Sequence, residues 1–289
     1  MHPLRALAVV AAMSAPSVPA LAETYTNPHL LMSPVDVAAG LEAGTIVVLD
    51  VRQRAAFADG HIPGARQIDP DAVADPDSPI SGALRPMAEI ATMLGDLGVT
   101  ADTHVVLYDD KGGFHAARMF WLLEYMGHRR VSLLNGGIQA WEASEQTLEK
   151  GDVKPIKRQR FAPALTSRRH ATADWILERR NDSQTLVIDV RPTAAFDKGH
   201  IPWARSIPWK GNLNADKTMK SGDALRAHFA EHGVTPDHTI VVHCQNGLAS
   251  AHSYFALRLI GFPQIRTYHR SWAEWGTSDD LPKAVKDAG

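Results

Sequence analysis

The chain has 289 residues, 45% of them hydrophobic and 21% charged, with a formal net charge of −2 and a pI near 6.7. That length exceeds what one core normally needs and suits two domains, while the dispersed, balanced charge excludes a nucleic-acid-binding surface or a polybasic membrane contact as the basis of function. A single cysteine excludes an internal disulfide framework, and no grouping of His, Asp and Glu has the spacing of a metal site, so no metal and no organic cofactor is expected.

In chain order, Met1 to Arg5 is weakly positive, Ala6 to Met13 is an apolar run too short to span a bilayer, and Ala20-Leu21-Ala22 is a small-x-small cleavage signal. Residues 1–22 therefore read as a signal peptide. Export to the periplasm is expected, with no stable membrane insertion once the peptide is removed. Ser33-Pro34 reads as an N-cap and first helical residue, and Gly44 ends that helix before a strand over Ile46 to Leu49. A short helix over Ala55 to Ala58, a longer one over Met87 to Leu97, a strand over Val105 to Tyr108, a helix over Phe114 to Met126 and a strand over Val131 to Leu134 follow. Gly151 to Arg168 is polar, basic and punctuated by Pro155 and Pro163, as a surface connector should be. Strands are then expected near Leu186 to Asp189, Ile240 to His243 and Ile265 to Tyr268.

The second half repeats the first. Asp50-Val-Arg52, Phe57 and Gly60-His61-Ile62-Pro63 recur as Asp189-Val-Arg191, Phe196 and Gly199-His200-Ile201-Pro202. Further on, Val105 to Gly112 matches Val241 to Gly247, and Gly137-Ile-Gln-Ala-Trp141 matches Ser271-Trp-Ala-Glu-Trp275. Alternating strands and helices predict an α/β architecture, a mostly parallel sheet with helices on both faces in each half. The expected layout is an N-terminal domain over 23–150, a linker over 151–168 and a second domain over 169–289.

Cys244 stands where the strand ending at His243 turns into a helix. Gln245, Asn246, Gly247, Leu248, Ala249 and Ser250 follow it, and their backbone N–H groups can curl around the sulfur at a positive helix end. A free cysteine can also be a small buried hydrophobe. At this turn, in an exported chain, a thiolate nucleophile is the stronger reading: it attacks a sulfane sulfur and carries it as a persulfide. Asp50 with Arg52 and Asp189 with Arg191 recur in the half without cysteine, so they read as fold-holding ion pairs. Arg191 stays a candidate for attracting an anion. His61 and His200 read as hydrogen-bonded turn residues, His243 should point away from the sulfur, and Trp121, Trp141, Trp272 and Trp275 read as core.

The doubled Asp-Val-Arg…Phe…Gly-His-Ile-Pro signature, the late Trp-x-x-Trp and a cysteine loop in the second half alone resemble a tandem-domain rhodanese of the exported bacterial type. The resemblance covers residues 30–280. It implies two rhodanese-like domains with five-stranded sheets, a catalytic second domain, and a first domain in which Asp109 stands at the position of Cys244. The implied activity is sulfur transfer from a donor such as thiosulfate or 3-mercaptopyruvate to cyanide or a thiol, a thioredoxin-like protein among the acceptors. A sulfane-sulfur carrier that delivers persulfide to a partner is the alternative. The resemblance makes Phe114 and His115 walls of the site; His115 departs from the aromatic expected there and is read instead as offering a positive charge to an anionic donor. It also shows what is missing: larger relatives grip the donor with a second arginine where this chain has Ala195, and Gln245-Asn246 match neither the basic residues of thiosulfate-preferring enzymes nor the glycine of mercaptopyruvate-preferring ones. Phosphatases of the same fold need an arginine six residues after the cysteine, where Ser250 stands.

Overall fold

In a computed structural model the described residues are 24–152 and 156–286. The signal-peptide expectation for 1–22 lies outside them. The first domain runs β1 (Leu31–Met32), α1 (Pro34–Glu42), β2 (Ile46–Asp50), α2 (Arg54–Asp59), β3 (Arg66–Gln67), α3 (Met87–Asp96), β4 (His104–Tyr108), α4 (Ala116–Tyr125), β5 (Val131–Leu134) and α5 (Gly137–Ala143). The second runs α6 (Ala173–Glu178), β6 (Thr185–Asp189), α7 (Thr193–Asp197), β7 (Arg205–Ser206), α8 (Gly222–Glu231), β8 (Thr239–His243), α9 (Leu248–Leu259), β9 (Ile265–Thr267) and α10 (Ser271–Trp275). Ser33 caps α1 in a reciprocal pair with Asp36, as the Ser-Pro signal required.

Both sheets are parallel, in the orders β1-β5-β4-β2-β3 and β7-β6-β8-β9. The second therefore has four strands, not the expected five. Where β1 pairs with β5 in the first domain, the second has only a one-residue bridge, His170 to Thr267. The Arg266 guanidinium bonds the carbonyls of Ser167 and His170 there, and the chain enters the Thr172 cap of α6 at once, so no ladder extends.

The two domains share one apolar cluster. Its centre is α4 against α9, two helices buried almost all round, as helices lacking a polar face must be. Phe120 meets Phe255 edge to face with centroids 4.9 Å apart. At the far end Glu124 receives Arg258 at 2.8 Å and the Tyr254 hydroxyl at 2.5 Å. Burial raises the Glu124 pKa, but those guanidinium and hydroxyl partners outweigh it and hold the carboxyl below its usual range. The connector is zipped to the first domain through Gln159 N–H to Gly95 and Ala164 N–H to Met126. Conversely, the first described residues strap the second domain: the Tyr25 hydroxyl donates to the Lys220 carbonyl at 2.7 Å and the Asn27 amide to the Leu259 carbonyl at 3.0 Å.

Trp121, Trp141 and Trp275 are core, whereas Trp272 is only partly buried, lying over the Arg191 guanidinium at 4.6 Å.

Candidate active site

Two loops occupy the same place in their domains, each leaving a central strand and entering an interdomain helix. The expected match of Gly112 with Gly247 is off by one. Counting back from Gly127 and Gly261 beyond the helices aligns Gly113 with Gly247, at φ of 92° and 90°, so the first loop is one residue longer. α4, expected from Phe114, begins at Ala116.

Asp109 is fully buried, and its carboxylate accepts backbone N–H bonds from Lys111 (2.8 Å), Gly113 (2.9 Å), His115 (2.6 Å) and Ala116 (3.0 Å). This is an anion nest filled by the chain itself.

In the second loop Cys244 is 2% exposed, and its Sγ accepts the Gly247 N–H at 3.2 Å. Ser250 Oγ and Ser271 Oγ lie 3.7 Å and 3.9 Å from the sulfur. Of the amides expected to ring the sulfur, Gly247 alone reaches it. The reason is reach: a carboxylate oxygen stands one bond beyond the atom that corresponds to Sγ. The outer sulfur of a persulfide stands one bond beyond as well, so Gly247, Ala249 and Ser250, the counterparts of Gly113, His115 and Ala116, are the amides that meet it. The Gln245 side chain is exposed, Asn246 and Leu248 are partly buried, and the Gln245 carbonyl ties the loop to Ala273.

Ser271 is a residue that sequence reasoning passed over. Its hydroxyl accepts the Cys244 N–H at 3.0 Å and donates to the Tyr268 carbonyl at 2.7 Å, while its own φ is +53°. The repeat holds the signal: Ser271 matches Gly137, at φ +60°, so a serine stands in a left-handed conformation where the sister domain uses glycine. Gly82 escaped notice too. It brings a first-domain turn so close that a Cβ there would lie 2.1 Å from the Asn246 carbonyl oxygen.

Arg191 is turned inward. Its Nε and Nη2 bind Asp189 at 3.0 and 2.6 Å, and Nη2 also binds the Gly199 carbonyl at 2.6 Å. Arg52 repeats this with Asp50 and Gly60 at 3.0, 2.6 and 2.7 Å, so the arrangement belongs to the fold. His61 and His200 each bond a carbonyl one turn back, at 2.9 Å, through Nδ1. His243 is fully buried with Nε2 3.6 Å from Asp189, and burial lowers its pKa.

Phe114 packs on Trp209 with centroids 4.9 Å apart, and both line a cavity of about 560 Å³ rimmed by Lys111, Lys210 and Lys217. His115 does not supply the positive charge assigned to it. Burial lowers its pKa, leaving the imidazole neutral at pH 7, and its contribution is a backbone amide given to Asp109. Among the described residues no group of three His, Cys, Asp or Glu could hold a metal, and no helix is long and apolar enough to cross a membrane.

A nucleophilic sulfur at a strand–helix turn, hydroxyls beside it and amides aimed one bond beyond it define a persulfide-forming cysteine enzyme built on duplicated α/β domains. The rhodanese-like domain model matches residues 33–144 and 172–278, and the chain belongs to that family. The thiosulfate sulfurtransferase of Azotobacter vinelandii is 32% identical over 275 residues, covering 90% of this chain and 98% of that one. The sulfur carrier protein TtuD of Thermus thermophilus is 35% identical over 283 residues, with 90% and 98% covered. The crystal structure of a 3-mercaptopyruvate sulfurtransferase from Escherichia coli superposes with a TM-score of 0.78 at 28% identity, covering 84% of this chain and 98% of that one. The chain is a sulfurtransferase that works through Cys244.

Proposed function

We propose that this sulfurtransferase takes its sulfur from a small anionic sulfane donor, thiosulfate foremost, and passes it to a thiol, a thioredoxin-like protein being the physiological class of acceptor. The Cys244 thiolate attacks the outer sulfur of thiosulfate, the S–S bond of the donor breaks, and sulfite leaves with the electron pair. Cyanide or a thiolate then attacks the outer sulfur of the persulfide, giving thiocyanate or a new persulfide and restoring Cys244. The observation that carries this reading is the 2% exposure of Cys244, which admits only a slender, end-on donor. 3-Mercaptopyruvate meets the same condition with its terminal thiol: the thiolate attacks that sulfur, the C–S bond breaks, and the electron pair leaves on carbon as the enolate of pyruvate, which takes a proton. We place the reaction outside the cytoplasm, in the periplasm, on the signal-like sequence of residues 1–22.

Ala195, where larger relatives carry an arginine, and the inward Arg191 together support a high KM for both donors. A charge-assisted arginine contact is worth roughly 1.5–3 kcal/mol, so Ala195→Arg should lower KM for one donor about tenfold. Steady-state kinetics with thiosulfate and 3-mercaptopyruvate against cyanide, a dithiol and reduced thioredoxin test the proposal. A protein that gains one sulfur atom by mass spectrometry but turns over with none of these acceptors is instead a carrier, the role in the Thermus relative's name.

A further inference from the structure

We propose that the arginine-lined cavity where the connector crosses the far ends of α4 and α9 binds a tetrahedral dianion of the phosphate or sulfate type. The site is separate from Cys244 and goes beyond the sulfur-transfer reading without depending on it.

The cavity has a volume of about 280 Å³. Its wall comes from three parts of the chain: Arg129 follows α4, Arg168 and Arg169 stand on the one-turn helix Ser167–Arg169 at the end of the connector, and Arg258 lies in the last turn of α9. Four arginines therefore gather in a chain whose formal net charge is −2, and the lining holds a single carboxylate, Glu124. That carboxylate is already taken. It accepts Arg258 Nη2 at 2.8 Å, Arg258 Nε at 3.1 Å and the Tyr254 hydroxyl at 2.5 Å, with Arg169 Nε 3.9 Å away. Among the described residues, the Arg129 and Arg168 guanidinium groups have no carboxylate within ion-pair distance.

The helix dipole accounts for cations at a helix C-terminus, which suits Arg258 and Arg129. It does not account for Arg168 and Arg169, which the connector brings in from outside either helix. Carbonyls at the end of α4 are in any case occupied by the connector: Ala164 N–H bonds Met126 and Thr166 N–H bonds Tyr125, both at 2.8 Å. Those bonds fix the connector beside the cavity, and it passes Gly127 so closely that a Cβ there would collide with the Ala164 carbonyl oxygen.

Like charges gathered this way repel, and a multivalent anion placed among them removes the repulsion. The wall also selects the kind of anion. It offers no aliphatic side chain larger than Ala164 and Thr166, so an organic body has nothing to pack against. Its volume lies just under the roughly 300–1,000 Å³ of sites for drug-sized ligands. Guanidinium groups supplied by separate segments suit an anion with acceptors in more than one plane, which a tetrahedral oxyanion has and a carboxylate lacks. From Leu248 to Arg258 the axis of α9 rises roughly 15 Å, so the anion stands well away from the cysteine loop. It ties the first domain, the connector and the second domain together.

The full chain is titrated with sodium phosphate against sodium chloride at matched ionic strength, with melting temperature as the readout, beside the double variant Arg129→Gln/Arg168→Gln and the single variant Arg130→Gln. Arg130 is the control, since its guanidinium bonds the Asp102 carbonyl and it does not line the cavity. Phosphate should raise the melting temperature saturably and beyond chloride, with half-saturation near ~1 mM, and loss of both arginines should weaken that response about a hundredfold. In chloride the double variant should melt at the same temperature as the natural protein or higher, because both arginines are exposed and their removal lessens the repulsion. No increment of phosphate over chloride overturns the proposal, as does one that survives in the double variant or vanishes in Arg130→Gln. A double variant that fails to fold also overturns it, since the arginines would then be structural. Sedimentation with vesicles of phosphatidylglycerol and phosphatidylcholine at the same ionic strength names the source of the anion. Sedimentation that depends on Arg129 and Arg168 identifies a lipid headgroup, and a phosphate response without it identifies a free oxyanion.

Discussion

The loop after β4 and the loop after β8 occur in copies of one unit, and they use the same strand–helix turn for opposite ends. The first closes four amides on Asp109 and is chemically finished; the second leaves amides over for an atom that arrives only during turnover. The comparison teaches that anion affinity at this turn is a property of the backbone, whereas reactivity depends on which atom is placed in it and on what the opposite domain presents. Ser271 against Gly137 is the second domain's side of that difference, and the Gly82 turn packed on Asn246 is what the first domain brings to it.

The most severe way to break the comparison is to remove the sulfur. Cys244→Ser should lower sulfur transfer by at least about three orders of magnitude, because a hydroxyl forms no persulfide, with the melting temperature nearly unchanged. Activity retained above background would sink the mechanism. The converse change tests the nest: Asp109→Ala strips four N–H groups, those of Gly113 and Ala116 buried, of a charged acceptor and should destabilise the protein by about 3 kcal/mol in denaturant unfolding. Asp109→Cys should remain without sulfur after thiosulfate treatment, since Asp110 disfavours a neighbouring thiolate. Peptide mapping that finds persulfide at both positions would refute that.

His252, whose Nε2 lies 3.0 Å from the Gly112 carbonyl of the first loop, gives the comparison a pH dependence. Its folded pKa, about 4, lies below the unfolded value near 6.5. The unfolded chain therefore binds more protons between those values, and stability present above about pH 6.5 is lost as pH falls toward 4. His170, also lowered to about 4 by burial, adds to the same slope. Between pH 6.5 and 5 His252 should account for about 2 kcal/mol. His252→Gln should flatten the decline of melting temperature over that range, and an unchanged slope would show that other groups set it. The smallest effect is expected where the loops differ by one strained residue. Ser271→Gly should relieve the left-handed serine, leaving stability unchanged or raised by about 1 kcal/mol, while kcat/KM falls a few-fold through loss of the hydroxyl beside the sulfur. A loss of stability instead would mean that the bonds from Ser271 to Cys244 and Tyr268 outweigh the strain.

The sequence by itself determined the duplication, the strand–helix alternation, the Asp–Arg pairs and the place of Cys244, because each is local: a period, a cap, a turn or a repeated spacing within a few residues. It also told that Asp109 cannot carry sulfur. It did not tell that the second sheet would stop at four strands, since that turns on Arg266 taking carbonyls from a segment about a hundred residues earlier. It credited His115 with a charge that burial removes, and missed the one-residue difference between the loops, which shows only when both helices are in place. Ser271 was legible in the repeat as a departure from glycine, but its meaning required the positive φ and the bond to Cys244. Gly82 was decided by tertiary structure alone: it lies far from the cysteine in sequence, and only the packing of the two domains brings its turn against the Asn246 carbonyl of the cysteine loop.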